Sequence, residues 1–297
     1  MEYAGGAVDL LHRSRFVTLT GAGISTDSGI PDYRGPRPAG DPPVRMPMTY
    51  QDFVASADNQ RRYWARAHVG WSRVTTADPN DGHRLLAMLT RELVITQNVD
   101  GLHRRAGQHH LVELHGRISE VCCLDCGSVS ARTAVQAAMS LANPGYADVH
   151  AGSTIRPDGD VELDDTRDFV VPRCTACGGR LKPDVVFFGE NVPKQRVARC
   201  IAAVDAAESL LVLGSSLTVM SGFRFVRQAH KRGIPIVIVN RGTTRGDDLA
   251  TVKLDLGVTE FLTDLAGQSE RSRMVVDSAA SFSTTGAGTG DSTSITA

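Results

Sequence analysis

The chain is short of net charge and of long apolar runs. Its 32 basic and 33 acidic residues leave a formal net charge of −1 over 297 residues, which removes the electrostatic case for direct contact with nucleic acid or an anionic membrane. No apolar stretch reaches the roughly 18 residues that a membrane-spanning helix requires. The opening Met1-Glu2-Tyr3-Ala4-Gly5-Gly6 carries no h-region and no arginine-rich, acid-free transit segment. A soluble, cytoplasmic protein without a membrane partner is the expectation. Cysteine is sparse as well, with six residues. In a chain of this size inside a cell the thiols stay reduced, so their spacing has to serve something other than disulfides. What is present is apolar material: at 41% hydrophobic content the chain can bury a full core, as one domain or two lobes.

Phe16-Val17-Thr18-Leu19-Thr20 is an apolar run that predicts a short buried strand. Gly21 and Gly23 follow it directly. Glycines there let backbone approach a ligand, and a helix N-terminus after them favours negative charge, as in a pyrophosphate cradle. Thr26 stands where the dinucleotide fingerprint has its third glycine, so an ordinary tight βα turn stays open. Pro31 and Asp32 stop any helix early, and Tyr33 and Arg34 follow in irregular chain. An arginine returning there can neutralise a diphosphate with two parallel donors.

The segments GAGIS and SGIPDYR resemble the opening motif of the sirtuins, the NAD-dependent protein deacylases. That resemblance implies that Gly21, Ala22, Gly23, Ser25, Thr26, Asp32, Tyr33 and Arg34 bind NAD and that acylated lysine in proteins is the substrate. Gly35 to Pro43 is too rich in proline and glycine for regular structure; it is a linker or, as the resemblance favours, a flap over the cofactor.

Tyr50, Phe53, Tyr63, Trp64 and Trp71 cluster in sequence and predict the core of a small helical layer. Tyr63 and Arg66 share a helical face; they either grip a distal carboxylate or are an arginine lying over an aromatic ring. In sirtuins that accept acidic acyl groups a Tyr-x-x-Arg pair sits at the corresponding place. Asp81 to Thr90 predicts an amphipathic helix with Leu85, Leu86, Met88 and Leu89 inward. The strand Leu93-Val94-Ile95-Thr96 then ends in Gln97-Asn98-Val99-Asp100-Gly101-Leu102-His103. Ligands of parallel sheets sit where strands end, although Asn98 and Asp100 also suit a plain turn. This run resembles the second sirtuin signature. By it Gln97, Asn98, Val99 and Asp100 line the nicotinamide and ribose pocket, with Asn98 orienting the ribose and Asp100 the carboxamide. His115 ends the apolar run Leu111 to Leu114 and precedes Gly116. A lone histidine is usually structural. The resemblance makes this one the general base for a ribose hydroxyl, a task suited to an imidazole near neutrality.

Cys123-x-x-Cys126 and Cys174-x-x-Cys177 offer four thiolates in two close pairs, the donor set of a closed, structural tetrahedral zinc site. A redox Cys-x-x-Cys would not predict the second pair. Cys122 and Cys200 are expected to be free thiols, with a register swap at Cys122 left open. The insert from Ala151 to Val161, with Pro157-Asp158-Gly159-Asp160, is either a surface loop or a likeness to the class II, sirtuin-four-like subgroup. In that subgroup the loop reaches towards the acyl pocket.

Asp184 to Phe188 predicts a buried strand, and by the resemblance Phe188, Gly189 and Glu190 pair with the substrate peptide. A helix over 193–208 is expected to carry Val197, Cys200, Ile201 and Val204 on one face. Ser209 to Leu213 leads into Gly214-Ser215-Ser216, and Ile234 to Val239 into Asn240-Arg241-Gly242, small and polar groups suited to phosphate, ribose or adenine. Val258, before the closing helix, matches the family's adenine backbone contact. The expected fold is α/β, a Rossmann-like parallel sheet with an inserted smaller zinc-binding and helical lobe. A single catalytic domain, 1–267, divides into a large lobe (about 1–45, 81–121 and 183–267) and a small one (about 46–80 and 122–182). The tail, 268–297, has too few large apolar residues to fold. A monomer is expected. The implied activity is deacylation yielding free lysine, nicotinamide and O-acyl-ADP-ribose; mono-ADP-ribosyl transfer, NAD-linked oxidoreduction and a non-enzymatic zinc-ribbon module are the rivals.

Overall fold

The computed structural model of the chain describes residues 2–32, 47–90, 92–150, 163 and 165–267. Tyr33, Arg34, the proposed flap at 35–43, the insert at 151–161 and the tail at 268–297 lie outside the described residues. In chain order the elements are α1 (Glu2–His12), β1 (Phe16–Thr20), α2 (Tyr50–Ala55), α3 (Ala57–Thr76), α4 (Asp81–Leu89), β2 (Val94–Thr96), α5 (Leu102–Arg105) and β3 (Leu111–Glu113). There follow β4 (Gly116–Cys123), β5 (Val129–Ala131), α6 (Arg132–Ala142), α7 (Tyr146–Val149) and β6 (Leu181–Val185). The chain continues through α8 (Lys194–Ala206), β7 (Ser209–Leu213), α9 (Met220–Arg232), β8 (Ile236–Val239) and β9 (Val252–Leu254). A last helix occupies 258–267.

Six strands form one parallel sheet in the order β3-β2-β1-β7-β8-β9. β7 and β8 are buried at every position, which is why their sequences are apolar throughout rather than alternating. One face packs on α1, α4 and the last helix through Val8, Leu11, Leu86 and Phe261; the other packs on α8 and α9 through Cys200, Val204, Phe225 and Ala229. The strand order reverses between β1 and β7. Connections therefore leave in opposite directions there, opening a crevice beyond the carboxyl ends of those two strands. No helix among the described residues is long and apolar enough to cross a membrane.

The smaller lobe holds α2, α3, α6, α7 and an antiparallel sheet in the order β5-β4-β6. Thr49 closes a capping box with Asp52 at the start of α2, and Ser56 accepts from the Asn59 amide at the start of α3, so two successive helices begin within a few residues. Trp64 is 1% exposed and its Nε1–H donates to the Leu181 carbonyl at 3.0 Å. The Arg132 guanidinium lies 5.3 Å from the Trp64 ring and 4.6 Å from that of Trp71, so a buried cation is covered by aromatic faces.

Two expectations change. The strand expected over Asp184 to Phe188 is β6, shifted towards the N-terminus; it pairs with β4 in the antiparallel sheet, and Phe188 makes only an isolated bridge to Thr49. The apolar run past Val185 reflects burial against Phe53 and Tyr63, not a ladder. Met88 is 80% exposed rather than inward. It lies roughly 100° around α4 from the stripe of Leu85, Leu86 and Leu89.

Candidate active site

A cleft of about 1140 Å³ opens at the crevice between β1 and β7, walled by the ends of the parallel strands and by the chain after β6. Its floor is backbone against backbone. The Gly21 amide donates to the Leu213 carbonyl at 3.0 Å and the Gly23 amide to Gly214 O at 2.9 Å. A Cβ on Gly21 would lie 2.7 Å from Gly214 O, and one on Gly214, whose φ is +58°, would lie 2.7 Å from the Gly23 carbonyl carbon. These glycines thus let two loops abut, and the Gly23 N–H is already engaged. The chain then runs through two 3-10 turns, Ala22–Ile24 and Thr26–Ser28, so the α-helix N-terminus expected behind the glycines is absent. Next to Gly214, Leu217 is held at φ 56°, a left-handed conformation rare for a branched side chain and found chiefly at functional loops. Gly214→Ala is expected to cost about 2–4 kcal/mol, since strain and a backbone clash combine, read as a lower urea midpoint. An unmoved midpoint would contradict this packing.

Ser25 organises the polar wall. Its hydroxyl donates to Asp100 Oδ2 at 2.8 Å and accepts from Asn98 Nδ2 at 3.0 Å. Asp100 Oδ1 accepts from the Leu102 amide at 2.9 Å, and burial pushes this carboxyl above the usual range. Gln97 Nε2 donates to Ser215 Oγ at 2.8 Å, tying the end of β2 to that of β7. Beneath lie His83 and His103, rings 4.9 Å apart, whose burial lowers their pKa values to about 4 and about 3. Both are neutral packing groups. Asn80 Oδ1, fixed because its amide donates to Ile24 O at 2.8 Å, accepts from His83 Nδ1 at 3.0 Å.

His115 stands at the exit of β3. Its Nδ1 is 2.8 Å from the Gln97 carbonyl, which can only accept, so Nδ1 carries the proton and Nε2 the lone pair. Nε2 accepts from Ser221 Oγ at 2.8 Å. Burial lowers the imidazole pKa, opposed by the Gln97 hydrogen bond and aided by the charge of Arg196, so the ring is neutral near pH 7. Gly116, at φ +84°, lets the chain turn here: a Cβ would sit 1.9 Å from Asp184 O. Ser221 had no signal in the sequence; it lies in the first turn of α9, 106 positions away.

Of the other candidates, Ala22, Asp32, Val99, Ser216, Asn240, Arg241 and Gly242 line the cleft, and Tyr63, Phe188, Gly189 and Glu190 form its opposite wall. Thr26 faces away, donating to Gly23 O at 3.0 Å. Val258 is buried in the core under the sheet, and neither it nor Arg66 lines the cleft. The carbonyls of Phe188 and Gly189 already accept from the Tyr50 amide and Gln51 Nε2, at 2.9 and 3.0 Å. Glu190 accepts from the Phe187 amide at 2.8 Å and pairs with buried Lys182 at 3.1 Å. Ile118, Met220, Arg224 and Thr243 to Arg245 also line the cleft and carry no motif that would have marked them.

Away from the cleft, Cys123, Cys126, Cys174 and Cys177 bring their sulfurs within 4.8 Å of one another. The separations of 3.6 Å (Cys123 to Cys177) and 3.8 Å (Cys126 to Cys174) compare with about 3.8 Å for a tetrahedron of thiolates around zinc at about 2.3 Å. Ser128, absent from the sequence-derived ligand set, places its hydroxyl 3.2 and 3.3 Å from Cys126 and Cys174 Sγ, where it can hydrogen-bond to coordinated sulfur. Cys122 is outside the cluster and Cys200 is sealed in the core, so neither competes as a ligand.

The sequence profile described as the Sir2 family matches residues 21–221. The chain is 53% identical over 264 residues to NAD-dependent protein deacetylase 1 of Streptomyces coelicolor, covering 87% of each protein. It is 49% identical over 268 residues to NAD-dependent protein deacetylase 1 of Mycobacterium avium, covering 88% of this chain and 94% of the relative. A solved Sir2 structure with a p53 peptide and NAD+ superposes with a TM-score of 0.70 at 34% identity, covering 89% of this chain and 98% of that one. With the cleft at the strand reversal, the histidine at its wall and the cysteine tetrad away from it, these likenesses agree, and the chain belongs to the Sir2 family of sirtuins.

Proposed function

We propose that the protein is an NAD-dependent protein lysine deacylase that returns free lysine, nicotinamide and O-acyl-ADP-ribose. The observation that carries this is His115: a half-buried, neutral imidazole, protonated at Nδ1, that lines the cleft together with Ser25, Asn98 and Asp100 and meets the Ser221 hydroxyl at Nε2. A base in that state accepts a hydroxyl proton without first losing one. The glycine floor and the polar strand ends fit a dinucleotide, and NAD, when bound, supplies a ribose carbon that exchanges nicotinamide for the acyl oxygen and a hydroxyl that receives the acyl group. Asn98, held by Ser25, orients the ribose; Asp100, anchored by Ser25 and Leu102, orients the carboxamide. His115 Nε2 takes the hydroxyl proton. Tyr63 and the segment from Phe187 to Glu190 close the other wall and exclude water. The cysteine tetrad holds zinc as a structural ion.

The division into a large and a small lobe at the boundaries given above, and membership of the class II subgroup, are part of this proposal. The Pro157-Asp158-Gly159-Asp160 insert supports the subgroup. An acidic acyl preference has weaker support, because Arg66 does not line the cleft. The test is a panel of acetyl, succinyl, lipoyl and methylglutaryl peptides incubated with NAD. Expected are matched yields of nicotinamide and deacylated peptide with no change in nicotinamide redox absorbance. Label from NAD accumulating on protein would mark a transferase instead, and no NAD consumption with any acceptor would defeat the proposal.

A further inference from the structure

We infer that Ser221 is a positioning residue for His115, holding the ring at Nε2 while the Gln97 carbonyl holds it at Nδ1; this rests on His115 being the base of the proposed deacylation. Both contacts are 2.8 Å and they act at opposite edges of the ring. One hydrogen bond leaves the ring free to swing about its Cβ–Cγ bond, a broad torsion; two opposed bonds fix it. The hydroxyl suits both protonation states. To neutral Nε2 it donates its proton. Nε2 has one lone pair, so the serine O–H turns aside as the ribose hydroxyl delivers its proton there, and the serine oxygen can then accept from the new N–H.

That second role answers a nearby charge. Arg196 reaches from α8, with its Nη1 donating to the Leu114 carbonyl at 3.3 Å, and its charge opposes an imidazolium at His115. A neutral acceptor at Nε2 offsets part of that opposition without a second charge. The same turn of α9 also seats the other end of the unit. A Cβ on Gly222 would sit 2.4 Å from Gln97 Oε1, so glycine at that position admits the Gln97 amide beside the helix. Ser221 and Gly222 together thus fix the ring and the residue whose carbonyl sets its tautomer.

The hydroxyl is isolated by comparing Ser221→Thr with Ser221→Val, which add the same bulk, alongside Ser221→Ala. Nicotinamide exchange into NAD on an acylated peptide precedes the proton transfer to His115, whereas net deacylation follows it. Exchange is expected within about twofold of wild type in all three variants, while deacylation falls about tenfold in Ala and Val and returns to within about threefold in Thr. In the free protein labelled with 15N-histidine, the His115 Nε2 resonance, identified by its loss in His115→Ala, should move towards the value of an unbonded lone pair in Ala and Val but not in Thr. Thr and Val indistinguishable in deacylation, or an unmoved Nε2 resonance in Val, overturns the role of Ser221 while wild type remains active. Wild type that neither exchanges nor deacylates overturns the deacylase proposal itself.

Discussion

Replacing His115 with alanine is expected to lower deacylation about 10²–10⁴-fold, the range for loss of a positioned general base, while nicotinamide exchange persists. The split follows from the order of events: the glycosidic bond is exchanged before any proton reaches Nε2. Burial also sets the pH dependence. The folded-state pKa of His115 is lowered from 6.5, so the neutral, active form persists below the ordinary histidine range. The acid limb of kcat/KM should therefore fall below pH 6.5 in the wild type, and this limb should vanish in the residual activity of the variant. An alanine variant with wild-type deacylation would remove His115 from the mechanism; one that loses exchange equally would make its role structural.

Cys174→Ala is expected to abolish stoichiometric zinc and to destabilise the smaller lobe by roughly 5 kcal/mol, lowering Tm by roughly 10–20 °C. The size of the effect follows from where the sulfurs sit. Cys123 and Cys174 are buried among Trp64, Val121, Val135, Met139 and Leu181 while Cys126 and Cys177 are exposed, so the metal site joins that lobe's core to its surface. β6 runs from this core, and the chain directly beyond it, Phe187 to Glu190, forms a wall of the cleft. Deacylation should fall with the lobe although no cysteine lines the cleft. Elemental analysis and a thermal melt check the first claim, and a variant that keeps one equivalent of zinc at an unchanged Tm would refute it.

Much of the fold was legible because local rules and tertiary structure agree. The runs Phe16 to Thr20 and Ser209 to Leu213 coincide with β1 and β7, since strands buried on both faces need continuous apolar sequence. Two Cys-x-x-Cys pairs specify a tetrad at any distance in the chain, because the donor chemistry does not depend on what joins them. The signal failed where a neighbour decided the outcome. Met88 is apolar yet exposed because none of the described residues covers that side of α4. Gly23 was legible as a residue that permits close approach, but not that its partner is Gly214 rather than a ligand. The turns after it stay 3-10, so the expected helix dipole is missing.

The sequence by itself determined the family, the strand order's raw material, the four sulfur donors and the presence of a histidine at a strand end. These are properties of residue type and spacing. Only the tertiary structure decided which nitrogen of His115 carries the proton, that Ser25 joins Asn98 to Asp100, and that Ser221 meets Nε2 from a helix far along the chain. Hydrogen bonds between residues 75 or 106 positions apart have no period or motif along the chain. They exist because a parallel sheet gathers the ends of separate strands at one edge, and it is there that burial sets the charge state of each group.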